Sequence, residues 1–454
     1  MKPTSIQIIE TLRKAGHEAY WAGGCVRDML MAIEPKDFDI VTSAKPDQIE
    51  ELLEHTVPVG KKFGVILVIK NGHSFEVATF RSDSGYSDGR RPDAVTFTHA
   101  EEDAKRRDFT INSMFYDPTE DKIIDYLGGE KDLDDKIIRF IGNPEERIKE
   151  DHLRILRAVR FKNSFNMQYH PETYQAIKKH VHLILDISME RVHDELNKMI
   201  MGDNAGQGFE ELFEIGALDL LIPELCKLKG LAQPPESHDE GDVWDHTMKS
   251  LDALTDEESH PDPLREKPPS IALKWAVVLH DIGKFETFSI KSDRIHYDHH
   301  TSVGAELSKK VLKRLKFPRK IIEDVHWLIN EHMMITPLFE MPDGRRRHWF
   351  LHPLFEDLLE VFRSDQMGIE PVDTSLYEKI LKMYRHEIAK LKLMPKQIIS
   401  GKDVMKLLDI EPGEKVGKIL KDIREQQLEG TIKNKKQAKK YIKSNYLDPG
   451  LSPG

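Results

Sequence analysis

Only two cysteines, Cys25 and Cys226, occur in 454 residues, and no metal-type cysteine spacing is present. Two such thiols make no disulfide framework, and they fit a reducing cytoplasm. No run of about 18 apolar residues occurs, so no membrane span is expected. The opening stretch, MKPTSIQIIETLRKAGHEAY, reads as an amphipathic helix without an apolar signal core. Internal repeats are also lacking. Net positive charge is missing too: the formal balance is −11. Alone this speaks weakly against nucleic acid, but global charge does not report local fields. Basic clusters stand at GRRPD (Gly89–Asp93), KRRDF (Lys105–Phe109), RILRAVRFK (Arg154–Lys162) and KNKKQAKKYIK (Lys433–Lys443). Gathered around a catalytic site, they would be the electrostatic footprint of a polyanion.

What is present is a long chain, too long for one core, which predicts two to four domains. Hydrophobic residues make up 39% and charged residues 32%, the balance of a soluble globular protein with many solvated helix faces. Over residues 1–137 short strands and helices mix. HEAYWAGG reads as a strand ending in a glycine turn, CVRDMLMAI as the following helix, and DFDIVTSA, GVILVIKNG and HSFEVATF as strands. From about Asp132 the period becomes helical. PEERIKEDHLRILRAVRFKNSF places Ile148, Leu153, Leu156 and Val159 on one face, with Pro144 near the start, and SMERVHDELNKMI continues in the same style. The proline-rich LAQPPESHDEGD marks a softer boundary, and a histidine-rich helical region runs from Val243 to Asp365. A last helical segment begins near MPKQIISGKDVMKLL, and NYLDPGLSPG is expected to be a disordered tail.

GGCVRDMLMAIEPKDFDI (Gly23–Ile40) places two acids one residue apart at Asp37 and Asp39. In a strand, residues i and i+2 share a face, so DFDI would present a two-carboxylate claw. Hard cations such as Mg²⁺ take oxygen ligands, bridge carboxylates to substrate phosphates and relieve the repulsion between the acids. Gly23 and Gly24 let backbone N–H groups come close to an anion, at the positive end of the next helix. Glu76, on the neighbouring strand SFEVATF, could complete the site, and two cations there would suit in-line displacement at a triphosphate.

These residues resemble the head of the class II tRNA nucleotidyltransferase and bacterial poly(A) polymerase group, within the polymerase-beta-like superfamily. RRDFTINSMFYD (Arg106–Asp117) is similar to that family's ribose- and triphosphate-contacting motif. DYLGGEKDL (Asp125–Leu133) resembles its head-to-neck hinge, EDHLRILRAVRF (Glu150–Phe161) its base-reading EDxxR motif, and SMERVHDEL (Ser188–Leu196) its neck-stabilising motif. RSDSGYSDGRRPDAVTF (Arg81–Phe97) resembles its mobile loop, whose presence favours adding A over adding only C. One departure is Ala32, where the family pattern has glycine.

The resemblance implies an α+β head followed by a mainly α-helical neck, body, HD domain and tail. It implies a head at 1–137, a base-reading and RNA-binding neck and body at 138–230, an HD domain at 231–375 and a tRNA-binding tail at 376–454. Asp37, Asp39 and Glu76 become the catalytic residues. Gly23, Gly24, Arg27, Arg107, Asp108, Asn112, Asp151, Arg154, Arg157 and Arg160 become the nucleotide site. Within EDxxR, Asp151 and Arg154 at i, i+3 would share a helix face. Asp accepts hydrogen bonds and Arg donates them, which matches the amino group beside a ring acceptor in both cytosine and adenine. Uracil and guanine present the reverse, and such a site can reject them by roughly 10⁴-fold.

A second constellation lies downstream: His246, then His280 and Asp281 in LHDIGK, and Asp365, with His300 and His332 relevant to a two-metal form. Its order resembles the HD phosphohydrolase superfamily. Imidazoles mixed with carboxylates suit Mn, Ni, Co or Fe. The expected activity is template-independent addition or repair of the tRNA 3′-terminal CCA from CTP and ATP, with an HD phosphohydrolase acting on RNA-end phosphoesters. The alternatives are an A-adding enzyme, a poly(A) polymerase, or an HD phosphohydrolase whose head only binds RNA. Expected partners are tRNA, CTP and ATP, with no membrane and no obligate protein partner.

Overall fold

The structure, a computed structural model, describes residues 1–86, 89, 92–234, 241–254, 268–390 and 396–446. Two compact units divide it, Met1–Cys226 and Lys227–Gly454.

The first unit is built on a mixed seven-stranded sheet. Its strands are β1 (Ala19–Ala22), β2 (Ile40–Thr42), β3 (Thr56–Gly60), β4 (Val65–Lys70) and β5 (His73–Thr79). After the side hairpin of β6 (Arg81–Ser84) and β7 (Ala94–Phe97) come β8 (Phe115–Asp117) and β9 (Lys122–Ile124). The order across the sheet is β3-β4-β5-β2-β1-β8-β9. β5 shows why these segments are strands: Phe75, Val77 and Thr79 are buried while Ser74 and Glu76 face out, the period of a half-buried strand. The helix Lys2–Lys14 turns Ile8, Ile9 and Leu12 inward, and Trp21 on β1 is fully buried, its indole N–H donating to Ser5 Oγ at 3.0 Å.

The expected strand DFDI is corrected, because β2 starts only at Ile40. Its alternation nevertheless persists. Phe38 and Ile40 are buried, Asp37 and Asp39 are exposed, and the Asp39 carbonyl accepts from the Ala22 N–H at 3.1 Å.

The expected continuous helix after Pro144 is also corrected. It is two helices, Pro144–Glu150 and Arg154–Ser164. Asn143 caps the first by accepting from the Glu145 and Glu146 N–H groups. Asp151 then leaves helical geometry at φ −147°, ψ 104°, and its side chain accepts from the Leu153 N–H at 3.2 Å. Ile148, Leu153, Leu156 and Val159 are all buried as the period required. β10 (Ile137–Ile138) and β11 (Gln168–Tyr169) form a short parallel pair beneath these helices, and Met189–Ile200 packs on Arg154–Ser164.

The second unit centres on helix Ile271–Leu279, in which eight consecutive residues from Ala272 are buried. A helix apolar all round belongs in a core. Around it stand Val243–Asp252, Arg319–Glu331 and Phe355–Gly368. An antiparallel hairpin, β12 (Phe288–Lys291) and β13 (Arg294–Tyr297), interrupts this helical region and was not expected from the sequence. The helices Gly401–Leu408, Glu414–Leu428 and Lys435–Tyr446 close on a smaller core of Val404, Ile419, Ile423 and Ile442. Asn445 and Tyr446 are thus helical, and the rest of the expected disordered tail lies outside the described residues, as do Arg90, Arg91 and the middle of the proline-rich boundary. Among the described residues no helix is long and apolar enough to cross a membrane.

Candidate active sites

In the first unit one cleft of about 580 Å³ gathers most of the expected residues. Gly23, Gly24, Arg27, Asp37, Asp39, Arg107, Asp108, Asn112, Asp151, Arg154, Arg157 and Arg160 all line it. Glu76 is outside that lining but close by. β2 pairs in parallel with β5 through Ile40 and Val77, which sets Asp39 beside Glu76 one step earlier. The effect is electrostatic. Burial by the cleft wall, then repulsion from Asp37 and Glu76, pushes the Asp39 carboxyl up to about 6, although its outer side stays open to solvent. Crowded carboxylates that resist ionisation are what a bound divalent cation would relieve, and an oxygen-only donor set suits Mg²⁺.

Gly23 sits at φ +71°, in the left-handed region, and a Cβ there would meet Arg107 Nη1 at 2.9 Å. Its N–H is already spent on the Met114 carbonyl at 3.2 Å. Gly23 therefore serves by conformation and close approach, and its amide is not among the donors left for a phosphate.

The cationic wall is organised by buried acids and by one ring. Arg27 donates to Asn112 Oδ1 at 2.7 Å and to Asp28. Arg27, Arg157 and Arg160 all lie over Phe161, at 5.1, 5.2 and 4.1 Å. Arg107 pairs with the fully buried Asp103. Asp108 accepts from Arg157 at 2.8 and 2.6 Å and from Asn112 at 3.2 Å. Burial alone would raise its carboxyl, but Arg157 beside it prevails and brings it down to about 2.

Asp151 and Arg154 both face the cleft, yet they do not share a helix face, since Asp151 precedes the helix that Arg154 begins. Arg191 donates to both Asp151 oxygens at 3.0 and 2.9 Å, while Arg154 bonds Glu150 at 2.6 Å and the Arg147 carbonyl at 2.7 Å. Each is anchored from a different side. Arg191 and Glu195 belong to SMERVHDEL, and Glu195, buried, pairs with Arg160 at 2.7 Å and Lys198 at 2.9 Å.

Sequence reasoning did not single out Asp103, Glu195, Arg191 or Tyr86 as parts of this site. Pairs such as Arg160 with Glu195 are 35 residues apart, so no local spacing announces them. Two of the three arginines over Phe161, Arg157 and Arg160, did leave a signal, the repeat of Arg at every third residue in RILRAVRF.

The second unit gathers every one of its expected ligands. His246, His280 and Asp365 bring one ligand atom each within 4.8 Å of one another, and so do Asp281, His300 and His332. His246 Nε2 lies 3.0 Å from Asp365 and 3.8 Å from Asp281, and His300 Nε2 lies 3.4 Å from His332 Nε2. Three rings are oriented alike. Nδ1 of His280, His300 and His332 meets the carbonyls of Val277, Ile329 and Tyr297 in the pairings His280–Val277 (2.7 Å), His332–Ile329 (2.7 Å) and His300–Tyr297 (2.9 Å). A ring whose Nδ1–H donates to a carbonyl presents a lone pair on Nε2, the orientation a metal requires. Burial, then the nearby His280 and His300, brings His332 down to about 4 and keeps it neutral. Burial opposes charge on His280, but Asp281 and Asp365 raise it to about 10. Asp281, buried, and Asp365, half-buried, thus demand a positive partner, which a transition-metal cation would supply. His299 is exposed and lies outside both clusters.

Known proteins match this chain in four stretches. Residues 19–139 match the family model of the poly A polymerase head domain, 166–229 an RNA- and SrmB-binding site of polymerase A, 243–346 the HD domain and 299–439 a tRNA nucleotidyltransferase domain 2. The CCA-adding enzyme of Bacillus velezensis is 32% identical over 434 residues, 95% of each chain. That of Ligilactobacillus salivarius is 45% identical over 225 residues, 49% of this chain and about half the length of that one (54%). The crystal structure of the Bacillus stearothermophilus CCA-adding enzyme in complex with CTP superimposes with a TM-score of 0.66 at 27% identity, covering 97% of this chain and 96% of the other.

Proposed function

The chain belongs to the CCA-adding enzyme family, and from that premise we propose that its first cleft builds the 3′-terminal CCA of tRNA from CTP and ATP without a template. The observation that carries this reading is the convergence in one cleft of the acid pair, the arginine wall and the Asp151–Arg154 pair. In it, Asp37, Asp39 and Glu76 would hold Mg²⁺, which would supply charge to support the triphosphate and to lower the pKa of the attacking hydroxyl. Arg27, Arg107 and Arg160 face the phosphates, and Asp108, held ionised by Arg157, faces the ribose. The tRNA 3′-oxygen forms the new bond to the α-phosphorus as the bond to the β-phosphate bridge breaks, and pyrophosphate leaves. In this reading the hydroxyl proton passes to one of the three carboxylates. Asp151 accepts the exocyclic amine and Arg154 donates to the adjacent ring nitrogen, a pattern shared by C and A and reversed in U and G.

In the same reading residues 1–137 transfer, 138–230 read the base and meet RNA, and 376–454 grip the tRNA, whose A-form helices hide their base edges and are held by shape. The two free cysteines accord with a cytoplasmic setting. The HD centre is read as a metal-dependent phosphohydrolase for phosphoesters at RNA ends, 2′,3′-cyclic phosphates included. Its support is the set of Nε2 atoms and carboxylates converging in one place. A cation such as Mn, Ni or Co would supply Lewis acidity there.

The test incubates the protein with tRNAs lacking zero to three terminal nucleotides, with CTP and ATP separately and together. Full repair with both nucleotides, and stepwise C then A, is the expected result. Addition of A alone, or of untemplated A tracts, would replace it with the narrower activities. Asp37→Ala should abolish every addition while tRNA binding persists.

A further inference from the structure

The β12–β13 hairpin presents an apolar face whose β12 side, Phe288 and Ile290, stands open to solvent. Its register pairs Phe288 with Tyr297 and Ile290 with Ile295. Directly paired residues share a face, so these four side chains stand together, and Ser289, Lys291, Arg294 and His296 occupy the other side. Phe288 is 41% and Ile290 66% exposed, and Phe285, just before the hairpin, is 45% exposed. A two-stranded ribbon gains little by exposing apolar residues to water, so an exposed apolar face of this kind points to a ligand.

Its position says which ligand. The Phe288 and Tyr297 rings lie 5.9 Å apart. The Tyr297 carbonyl meets His300 Nδ1, fixing one imidazole of the HD centre. Lys284 bridges the other way: its ammonium lies 5.4 Å from the Tyr297 ring and 2.6 Å from Asp281. The aromatic face is therefore joined to the metal-ligand cluster through a buried cation. An apolar aromatic surface on one side and a cation beside a phosphate-hydrolysing centre on the other match the two halves of a nucleotide.

We propose that the Phe288 face of the hairpin is a nucleobase subsite of the HD centre, stacking the terminal base of an RNA end while its phosphate enters the histidine–aspartate cluster. This rests on the phosphohydrolase reading of that cluster. Stacking on a ring is tolerant of base identity, since every base has a π-face, so the subsite selects nucleotides over base-free phosphoesters without choosing among bases.

The experiment uses the full chain with Mn²⁺, Ni²⁺ or Co²⁺, and compares wild type with Phe288→Ala and Phe288→Tyr. Because Phe288 lies at the surface, 41% exposed, neither change opens a core cavity. One substrate is cytidine 2′,3′-cyclic phosphate, and the other is the same cyclic phosphate on 1-O-methylribofuranose, which has no base. Phe288→Ala should raise KM for the nucleotide roughly tenfold, the scale of one lost stack, and leave the base-free substrate unchanged. Phe288→Tyr should behave as wild type. Equal loss on both substrates, or on neither, overturns the subsite while leaving the hydrolase reading intact. No hydrolysis of either substrate removes the hydrolase reading. In that case calorimetric titration with adenosine 2′-monophosphate decides: a binding event lost in Phe288→Ala supports the base subsite, and identical isotherms overturn it.

Discussion

Asp39 carries a proton more tightly in the folded protein than its ordinary value of 3.8 allows, up to about 6. The sign of the linkage follows. A raised folded-state pKa contributes stability that is complete below about 3.8 and is lost as pH rises through about 6. At pH 7.5 the ionised Asp39 is therefore a cost, borne for the cation. Asp39→Asn should raise Tm in chelator-treated buffer, by about 2–4 °C at most because the exposed carboxylate is screened, and abolish nucleotide addition. Mg²⁺ should raise the wild-type Tm and not the variant's, and its affinity by titration calorimetry should fall as pH drops below about 6. A variant less stable than wild type without metal would contradict this account. Asp151 offers a second test at the same scale. Its two bonds from Arg191 hold it as an acceptor facing the cleft. Asp151→Ala should raise UTP and GTP incorporation relative to CTP and ATP while tRNA affinity changes little. An unchanged nucleotide preference would refute its role in base selection.

Elements explain which parts were legible. The strands around the acid pair announce themselves through alternation, and the acids needed only their i, i+2 spacing to be placed. The break at Asp151 was hidden because its Asx-type bond to the Leu153 N–H competes with the helix in a segment whose apolar period continues across it. The β12–β13 hairpin was hidden for a different reason: Ser292 and Asp293 supply its two positive-φ positions, at 50° and 59°, without the glycine that normally signals such a turn. Ala32 shows a departure with a structural cost. It holds φ +57° at the family's glycine position and is exposed. Ala32→Gly should stabilise the protein by about 0.5–1 kcal/mol in denaturant melts, the relief of left-handed strain less the added freedom of the unfolded chain. The packing of Met189–Ile200 on Arg154–Ser164 depends on the buried Glu195. Glu195→Ala leaves Arg160 without its acid and removes the longer of two contacts from Arg157, which keeps Asp108, and should cost about 3–5 kcal/mol. Because those arginines line the cleft, KM for CTP and ATP should rise together. A variant of wild-type stability would show the network to be solvent-screened.

At the scale of the whole molecule, two compact units each carry their own acids and their own expected cations. The first centre offers only oxygen donors, and the second mixes imidazole nitrogen with carboxylate. This difference in donors predicts that the two activities separate by metal as well as by mutation. After chelation, Mg²⁺ should restore nucleotide addition, whereas Mn²⁺, Ni²⁺ or Co²⁺ should restore phosphoester hydrolysis better than Mg²⁺ does. His280→Ala combined with Asp281→Ala removes one residue from each of the two clusters. It should abolish hydrolysis of a 2′,3′-cyclic phosphate and leave CTP and ATP addition to tRNA within about twofold of wild type, a change well under the 1.4 kcal/mol that a tenfold effect represents. Both assays belong on the same preparation, with circular dichroism to verify the fold, because Asp281 and His280 are buried and their removal takes an acid from Lys284 and an imidazole from Asp365. Loss of nucleotide addition in a folded double mutant would show that the centres are coupled. Retained hydrolysis would show that the histidine–aspartate cluster is a structural metal site and that the phosphoesterase lies elsewhere.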